Sequence, residues 1–288
     1  MRTNRDKLVI TSIQGMVDHP KMHGEGYWVG YDGVGRVTPG IGGITYNFFI
    51  GDECMNLAGD HIEPGVSTRN PDPGANAAYN TLACVGNEAT VLGGAADGAK
   101  GWVTGIHGGV DHVMLAFDQE TIDKLTPNDS FMIKSCGQWL KLLDYPEIVP
   151  MNLDPNLLDK MNIVENNDGT ISVPVTHVIP AHLLGAGLGV TTLMQGDYDI
   201  MAHDAQARKD YNLESLRFGD VVMIEDHACV NGPDYCKGAA TIGVIIHGDS
   251  FTAGHGPGVT VLLTSRKSLI KPIINVNANI ANYLNFTK

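Results

Sequence analysis

A β-dominated α+β architecture, arranged as two lobes of mixed strands with a few short helices, is predicted by three observations. Glycine makes up 35 of the 288 residues, against a usual share of roughly 7%, and no Gly-X-Y period accounts for the excess. A glycine-dense chain turns often, and many turns imply many short strands. Runs of β-branched and apolar residues recur between Gly, Asn and Asp, while capped helical patterns are few and short.

In chain order, residues 8–13, 27–31, 44–50, 112–117, 130–134, 171–179, 221–224, 241–247 and 259–264 read as strands. Three helices have a starting signal. Asp118 caps residues 119–125, Asp154 with Pro155 at the first turn starts 156–161, and Asp204 caps 205–211. Part of this pattern recurs. Asp111 and Ala116-x-Asp118 lead through a helix to Asp129-x-x-Met132-Ile133, and Asp197 and Ala202-x-Asp204 lead through a longer one to Asp220-x-x-Met223-Ile224. A duplication and a chance likeness of two strand–helix–strand units both account for it. The seam falls at residues 144–168, where three prolines and the Glu165-Asn166-Asn167-Asp168-Gly169 turn interrupt the strands, which gives lobes 1–146 and 147–288.

Composition excludes several classes of function. Apolar residues at 43% and charged residues at 18% describe a globular chain. The net charge of −13 repels phosphate backbones and anionic lipid, so nucleic acid and membranes are not expected partners. No apolar run approaches the ~20 residues that span a bilayer, and the first residues lack the apolar core of a signal peptide, so the expected location is cytoplasmic. The five cysteines include no C-x-x-C pair, which argues for reduced thiols rather than a disulfide framework or a zinc ribbon. Low surface charge for the chain's size favours a homo-oligomer.

Three segments carry candidate chemistry. The first, Gly59-Asp60-His61-Ile62-Glu63-Pro64-Gly65, opens a poorly patterned stretch, and long unpatterned stretches in compact domains are usually functional or disordered. Asp60, His61 and Glu63 offer metal ligands or a general acid and base; a plain Gly-Asp turn with a surface histidine reads the same way. In the second, His107, Asp111 and His112 lie in a glycine loop whose Gly108 and Gly109 allow close backbone approach to an anionic or carbonyl substrate. A hairpin connection would give the same string.

The third is the carboxy-terminal set. Asp226 and His227 close one strand, and His247, Asp249 and His255 lie in loops joining two more, so the five are expected to converge at one end of one sheet. His255, held between Gly254 and Gly256, is a costly choice for a mere connector. Cys229, two residues after His227, is the one cysteine placed as a candidate nucleophile. The string Gly185-Ala186-Gly187-Leu188-Gly189 resembles a phosphate loop but leads into Val190-Thr191-Thr192 rather than a helix, so it is set aside. His182 and His203 read as surface or capping residues.

The strings Gly59-Asp60-His61-Ile62-Glu63-Pro64-Gly65-Val66-Ser67, Gly108-Gly109-Val110-Asp111-His112-Val113 and Gly254-His255-Gly256-Pro257-Gly258-Val259 resemble the uncharacterised domain-of-unknown-function family 4438. That resemblance implies no activity. The Gly-Asp-His and terminal glycine–histidine motifs are distantly similar to the acetamidase/formamidase family, which implies a β-rich amide hydrolase with His and Asp at its site. That family's Gly-Asp-Gly-Glu run is not intact here, because Ala228-Cys229-Val230-Asn231-Gly232-Pro233 follows Asp226-His227.

The expected function is a metal-assisted hydrolase of a small amide-like or cyclic C–N substrate. A divalent metal, zinc on the strength of mixed imidazole and carboxylate donors, is expected among His61, Asp226, His227 and His255. Glu63 or Asp60 is the expected base, and Gly108, Gly109, His247, Asp249 and Gly256 are expected at the substrate. Two other classes fit the same loops: a binding protein for a small anion, and a metal-independent isomerase or lyase using His/Asp acid–base pairs.

Overall fold

The computed structural model describes residues 1–22, 26–37 and 41–288. Its first half carries β1 (Thr11–Val17), β2 (Tyr27–Val29), β3 (Gly35–Val37), β4 (Val66–Arg69), β5 (Glu88–Leu92), β6 (Lys100–His107), β7 (His112–Ala116) and β8 (Ser130–Ser135). The second carries β9 (Val149–Pro150), β10 (Val164–Glu165), β11 (Ile171–Val175), β12 (His177–Pro180), β13 (Tyr198–Asp199), β14 (Val221–Ala228), β15 (Asp234–His247), β16 (Gly258–Ser265) and β17 (Ile270–Ile274). Five short α-helices punctuate them among the described residues: α1 (Pro73–Leu82), α2 (Gln119–Ile122), α3 (Pro155–Lys160), α4 (Ala205–Asp210) and α5 (Ile280–Tyr283). The protein is thus β-dominated α+β. No described helix is long and apolar enough to cross a membrane.

Six antiparallel strands close into a barrel in the order β1-β4-β7-β6-β5-β8, with β8 pairing back onto β1. Alternation sets the faces: along β8, Phe131, Ile133 and Ser135 point inward while Met132 and Lys134 point out. Val66, Val91, Val103, Leu115 and Phe117 join Phe131 and Ile133 inside. Helix α1 packs over this barrel, Tyr79 reaching Thr68 at 2.8 Å. Gly15 of β1 makes room for it, since a Cβ there would meet the Tyr79 ring at 2.6 Å.

The larger sheet runs β12-β14-β15-β16-β13, with β9 also on the outer edge of β16. A smaller sheet places β11 between β10 and β17. Barrel and sheet share apolar contacts: one continuous cluster contains Met114 and Ala116 of the barrel with Ile242, Val244 and Ile246 of β15. Two hydrogen bonds of 3.1 Å clamp Thr260 of β16 to the backbone of Ile106 in β6. Gly105 of β6 has no side chain because Ile246 fills that space.

The expected helices form where their caps stand, Asp118, Asp154 and Asp204 each accepting a backbone N–H of the first turn. Three features depart from the sequence reading. Residues 44–50 make an irregular segment rather than a strand; consecutive Phe49 and Ile50 are both buried, and only Ile44 makes a bridge, to Val66. Residues 171–179 divide at Thr176, where the chain leaves the β10-β11-β17 sheet and enters the larger one. The poorly patterned stretch after Gly59 contains β4 and α1, the latter capped by Asp72 with Pro73 at its start. The recurrent pattern folds as β7-α2-β8 and β13-α4-β14, but β7 is a five-residue barrel strand and β13 a two-residue edge strand.

Candidate metal centre

The barrel and the large sheet meet at a polar corner. Strand β6 ends at His107 opposite His112, the first residue of β7. Strand β15 ends at His247, whose pairing partner is Gly258 at the start of β16. Gly258 also pairs with Asp199 of the edge strand β13. The irregular segment before β4 brings Asp60, His61 and Glu63, and the loop between β15 and β16 brings His255. A cavity of about 650 Å³ opens here, with His61, His107, Asp111, Asp197, Asp199 and His255 in its walls.

Two ligand sets form. Because strand side chains alternate, Asp197 and Asp199 face one way and Tyr198 the other, into the core. In the first set His61 Nε2 lies 3.0 Å from His255 Nδ1. Asp199 Oδ2 lies 3.0 Å from that Nδ1 and 3.5 Å from the Nε2. In the second, Asp197 Oδ2 is 3.0 Å from His247 Nε2, and His107 completes the group. Within each set the three ligand atoms lie within 4.8 Å of one another, and the 3.0–3.5 Å spacings of the first set are those of donors about 2.0–2.2 Å from a shared cation.

Behind the histidines stands a second layer of acceptors. His61 Nδ1–H donates to Asp60 Oδ2 at 2.6 Å, His107 Nδ1–H to Glu63 Oε1 at 2.6 Å, and His247 Nδ1–H to the Gly248 carbonyl at 3.0 Å. Each bond leaves Nε2 as the atom facing the cavity side, the arrangement by which outer carboxylates and carbonyls orient metal-binding imidazoles. Asp60 is itself held by Ser250 Oγ and the Phe251 N–H. Glu63 also accepts from Ser67 and from His112 Nδ1, whose Nε2 reaches Asp18 at 3.0 Å. His61 has a positive φ of 49°, a costly backbone conformation for a non-glycine residue and one that clusters at functional sites.

Proton affinities follow from these contacts. Burial lowers the pKa of His61 and of His247, but their hydrogen bonds to carboxylates outweigh it and raise both, His247 strongly. Burial, reinforced by the neighbouring His247, lowers that of His107. Burial raises the pKa of Asp199 and of Glu63, yet the surrounding histidines hold both carboxylates well below the usual range. His112, donating to carboxylates from both ring nitrogens, is raised despite its burial.

The structure brings together His61, His107, His247 and His255 from segments far apart in sequence. Asp60 and Glu63 are buried behind the histidines, at 3% and 4% exposure, so neither occupies the expected place of a base in the cavity. His112 lies one layer further back. Asp111 lines the cavity at a left-handed turn with φ 57°, beside Gly108 and Gly109. Gly108 N–H donates to Asp197 Oδ1 at 2.8 Å, and Gly256 N–H to Asp199 Oδ2 at 3.2 Å, so both glycines orient carboxylates. Asp249 is turned away and pairs with Arg208 at 2.7 Å.

Asp226 and His227 do not join His61 and His255, which corrects the expected ligand set. They lie near the start of β15, whereas His247 ends that 14-residue strand, so the two regions occupy opposite ends of it. Asp226 sits at a bulge with φ 56° and accepts the Gly238 N–H. His227 packs against Tyr198 with Nδ1 3.6 Å from Cys229 Sγ, and burial pushes that thiol up to about 12, so Cys229 is no ready nucleophile. Neither Asp197, which the sequence marks only as part of the recurrent pattern, nor Asp199 is among the expected site residues. Their signal was the Asp-x-Asp spacing after Gly196, which puts two carboxylates on one face of any strand. The set-aside glycine string also returns, with Ala186, Gly187 and Gly189 in the cavity wall.

The N-terminal domain of the family called domain of unknown function DUF4438 matches residues 27–159, and its C-terminal domain matches 160–284. The chain belongs to the DUF4438 family. It is similar to the crystal structure of TM1086, at 45% sequence identity and a TM-score of 0.93, over 98% of this chain and 99% of that one. No curated protein matches the chain.

Proposed function

We propose that the protein is a metal-assisted hydrolase of a small amide-like or cyclic C–N substrate, working from the cavity between barrel and sheet. The observation that carries this reading is the His61–Asp199–His255 set: three donors 3.0–3.5 Å apart, in a cavity wall, with one imidazole oriented from behind by a buried aspartate. A divalent cation there would lower the pKa of a bound water towards ~7 and polarise a carbonyl. Asp60 keeps His61 in the Nδ1–H tautomer, and Gly256 N–H steadies Asp199. Among the described residues, Asp111 is the one ionisable cavity-wall residue outside the two ligand sets, which suits it to accept a proton in place of Asp60 or Glu63. Thr191, Thr192 and Gln195 supply neutral hydrogen-bonding groups for a polar substrate.

The wall contains Asp111, Asp197 and Asp199 and no Lys or Arg among the described residues. That acidity disfavours a metal-free site for an anion. The test is hydrolysis of a panel of small amides, imides and lactams by zinc- or manganese-loaded protein, with and without chelator. Turnover that chelation abolishes and His255→Ala removes is expected. Inertness of the metal-loaded protein across the panel, or turnover indifferent to chelator, would refute the proposal; the second result would favour a metal-independent acid–base enzyme.

A further inference from the structure

We propose that the corner holds two divalent cations, one in each ligand set, with the carboxylate of Asp199 bridging them. This rests on the metal-dependent reading above and adds a second ion and a shared ligand. The two oxygens of Asp199 serve different sets: Oδ2 faces His61 and His255, while Oδ1 lies 3.6 Å from His247 Nε2. A carboxylate divided in this way joins ions about 3.5–4 Å apart, the usual spacing of two-metal hydrolytic centres.

The second set has its own ligand signature. His107 is 7% exposed in its side chain. Its Nδ1 is committed to Glu63 at 2.6 Å, so Nε2 is the nitrogen available to the cavity. His247, wholly buried, has Nδ1 committed to the Gly248 carbonyl, leaving Nε2 between the two aspartates. The His61–His247 and His107–His247 ring centroids are 4.9 and 4.3 Å apart, so the sets adjoin.

Charge points the same way. Asp60, Asp197 and Asp199, each at most 7% exposed, gather here around the imidazoles. Buried carboxylates are stable away from water only when paired, and cations held between them supply that pairing. The occupied centre would suit a neutral carbonyl compound whose oxygen is polarised at one ion while water is activated at the other.

The test is manganese(II) loading of the full chain, with elemental analysis and electron paramagnetic resonance, and with circular dichroism to verify the fold of each variant. Two ions per chain with an exchange-coupled multiline spectrum are expected. His247→Ala and His255→Ala should each retain one ion with a single-ion signal, and neither is needed for the barrel to close. Saturation at one ion, two ions without coupling, or no binding would each overturn the inference. Failure of the hydrolase reading looks different: a coupled pair that turns over none of the substrate panel. Conversely, chelator-sensitive hydrolysis at one ion per chain would retain the hydrolase and remove the bridge.

Discussion

Replacing His227 by leucine separates a structural histidine from a metal ligand. His227 is 2% exposed; Nδ1 lies 3.3 Å from Thr241 Oγ1, and Nε2 has no partner among the described residues. Burial lowers its pKa from 6.5 to about 4. A depressed histidine costs nothing above pH 6.5, where both folded and unfolded chains carry it neutral. As pH falls through the window from 6.5 to about 4, the unfolded chain takes up a proton that the folded chain refuses, and stability is lost. The gap corresponds to about 3 kcal/mol in full, of which about 2 kcal/mol is lost by pH 5. Urea unfolding of wild type and His227→Leu at pH 7.5 and pH 5 reads this directly. The variant should lose about 2 kcal/mol less stability between the two and should bind metal as wild type does. An unchanged acid dependence would refute the burial argument, and loss of metal would restore His227 to the ligand set.

Two further substitutions probe the centre's supports. Glu63→Gln removes the carboxylate that orients His107 and meets His112; metal affinity should fall about 10–100-fold, measured by competition with a chelating dye, and an unchanged affinity would show that Glu63 does not orient a ligand. Gly258→Ala would drive a Cβ into the His247 ring and the Asp197 carboxylate; metal binding should be lost from the His107–Asp197–His247 set while far-ultraviolet circular dichroism keeps its strand signal, and normal stoichiometry would refute the placement of that set.

Much of the framework can be read locally. Asp118, Asp154 and Asp204 cap helices where an aspartate meets a helical pattern, because the cap bond spans only three residues. Strand β8 alternates visibly because one face lies in the barrel and the other does not. Strands β5 and β6 escaped notice, their apolar positions broken by Gly101, Gly105 and polar Glu88, Thr90 and Lys100. Residues 44–50 misled in the other direction, since an apolar run anchors a segment to the core as readily as it forms a strand.

Composition and short-range pattern alone therefore set the β-rich character, the helix starts, and the glycine-flanked segments that carry His61, His107 and His255. Pairing set the rest. His61 and His255 are 194 residues apart and meet at 3.0 Å, a proximity that no local pattern encodes. The Asp-x-Asp string that runs into β13 is only a short string until Gly258 pairs with Asp199 and brings it beside His247 and His255. His227, by contrast, looks like an ideal ligand in the string Glu225-Asp226-His227, yet the bulge at Asp226 and the register of β14 on β15 turn it against Tyr198. The physical reason is that a side chain's chemistry is local, whereas the face it occupies depends on register and on strands contributed from far along the chain.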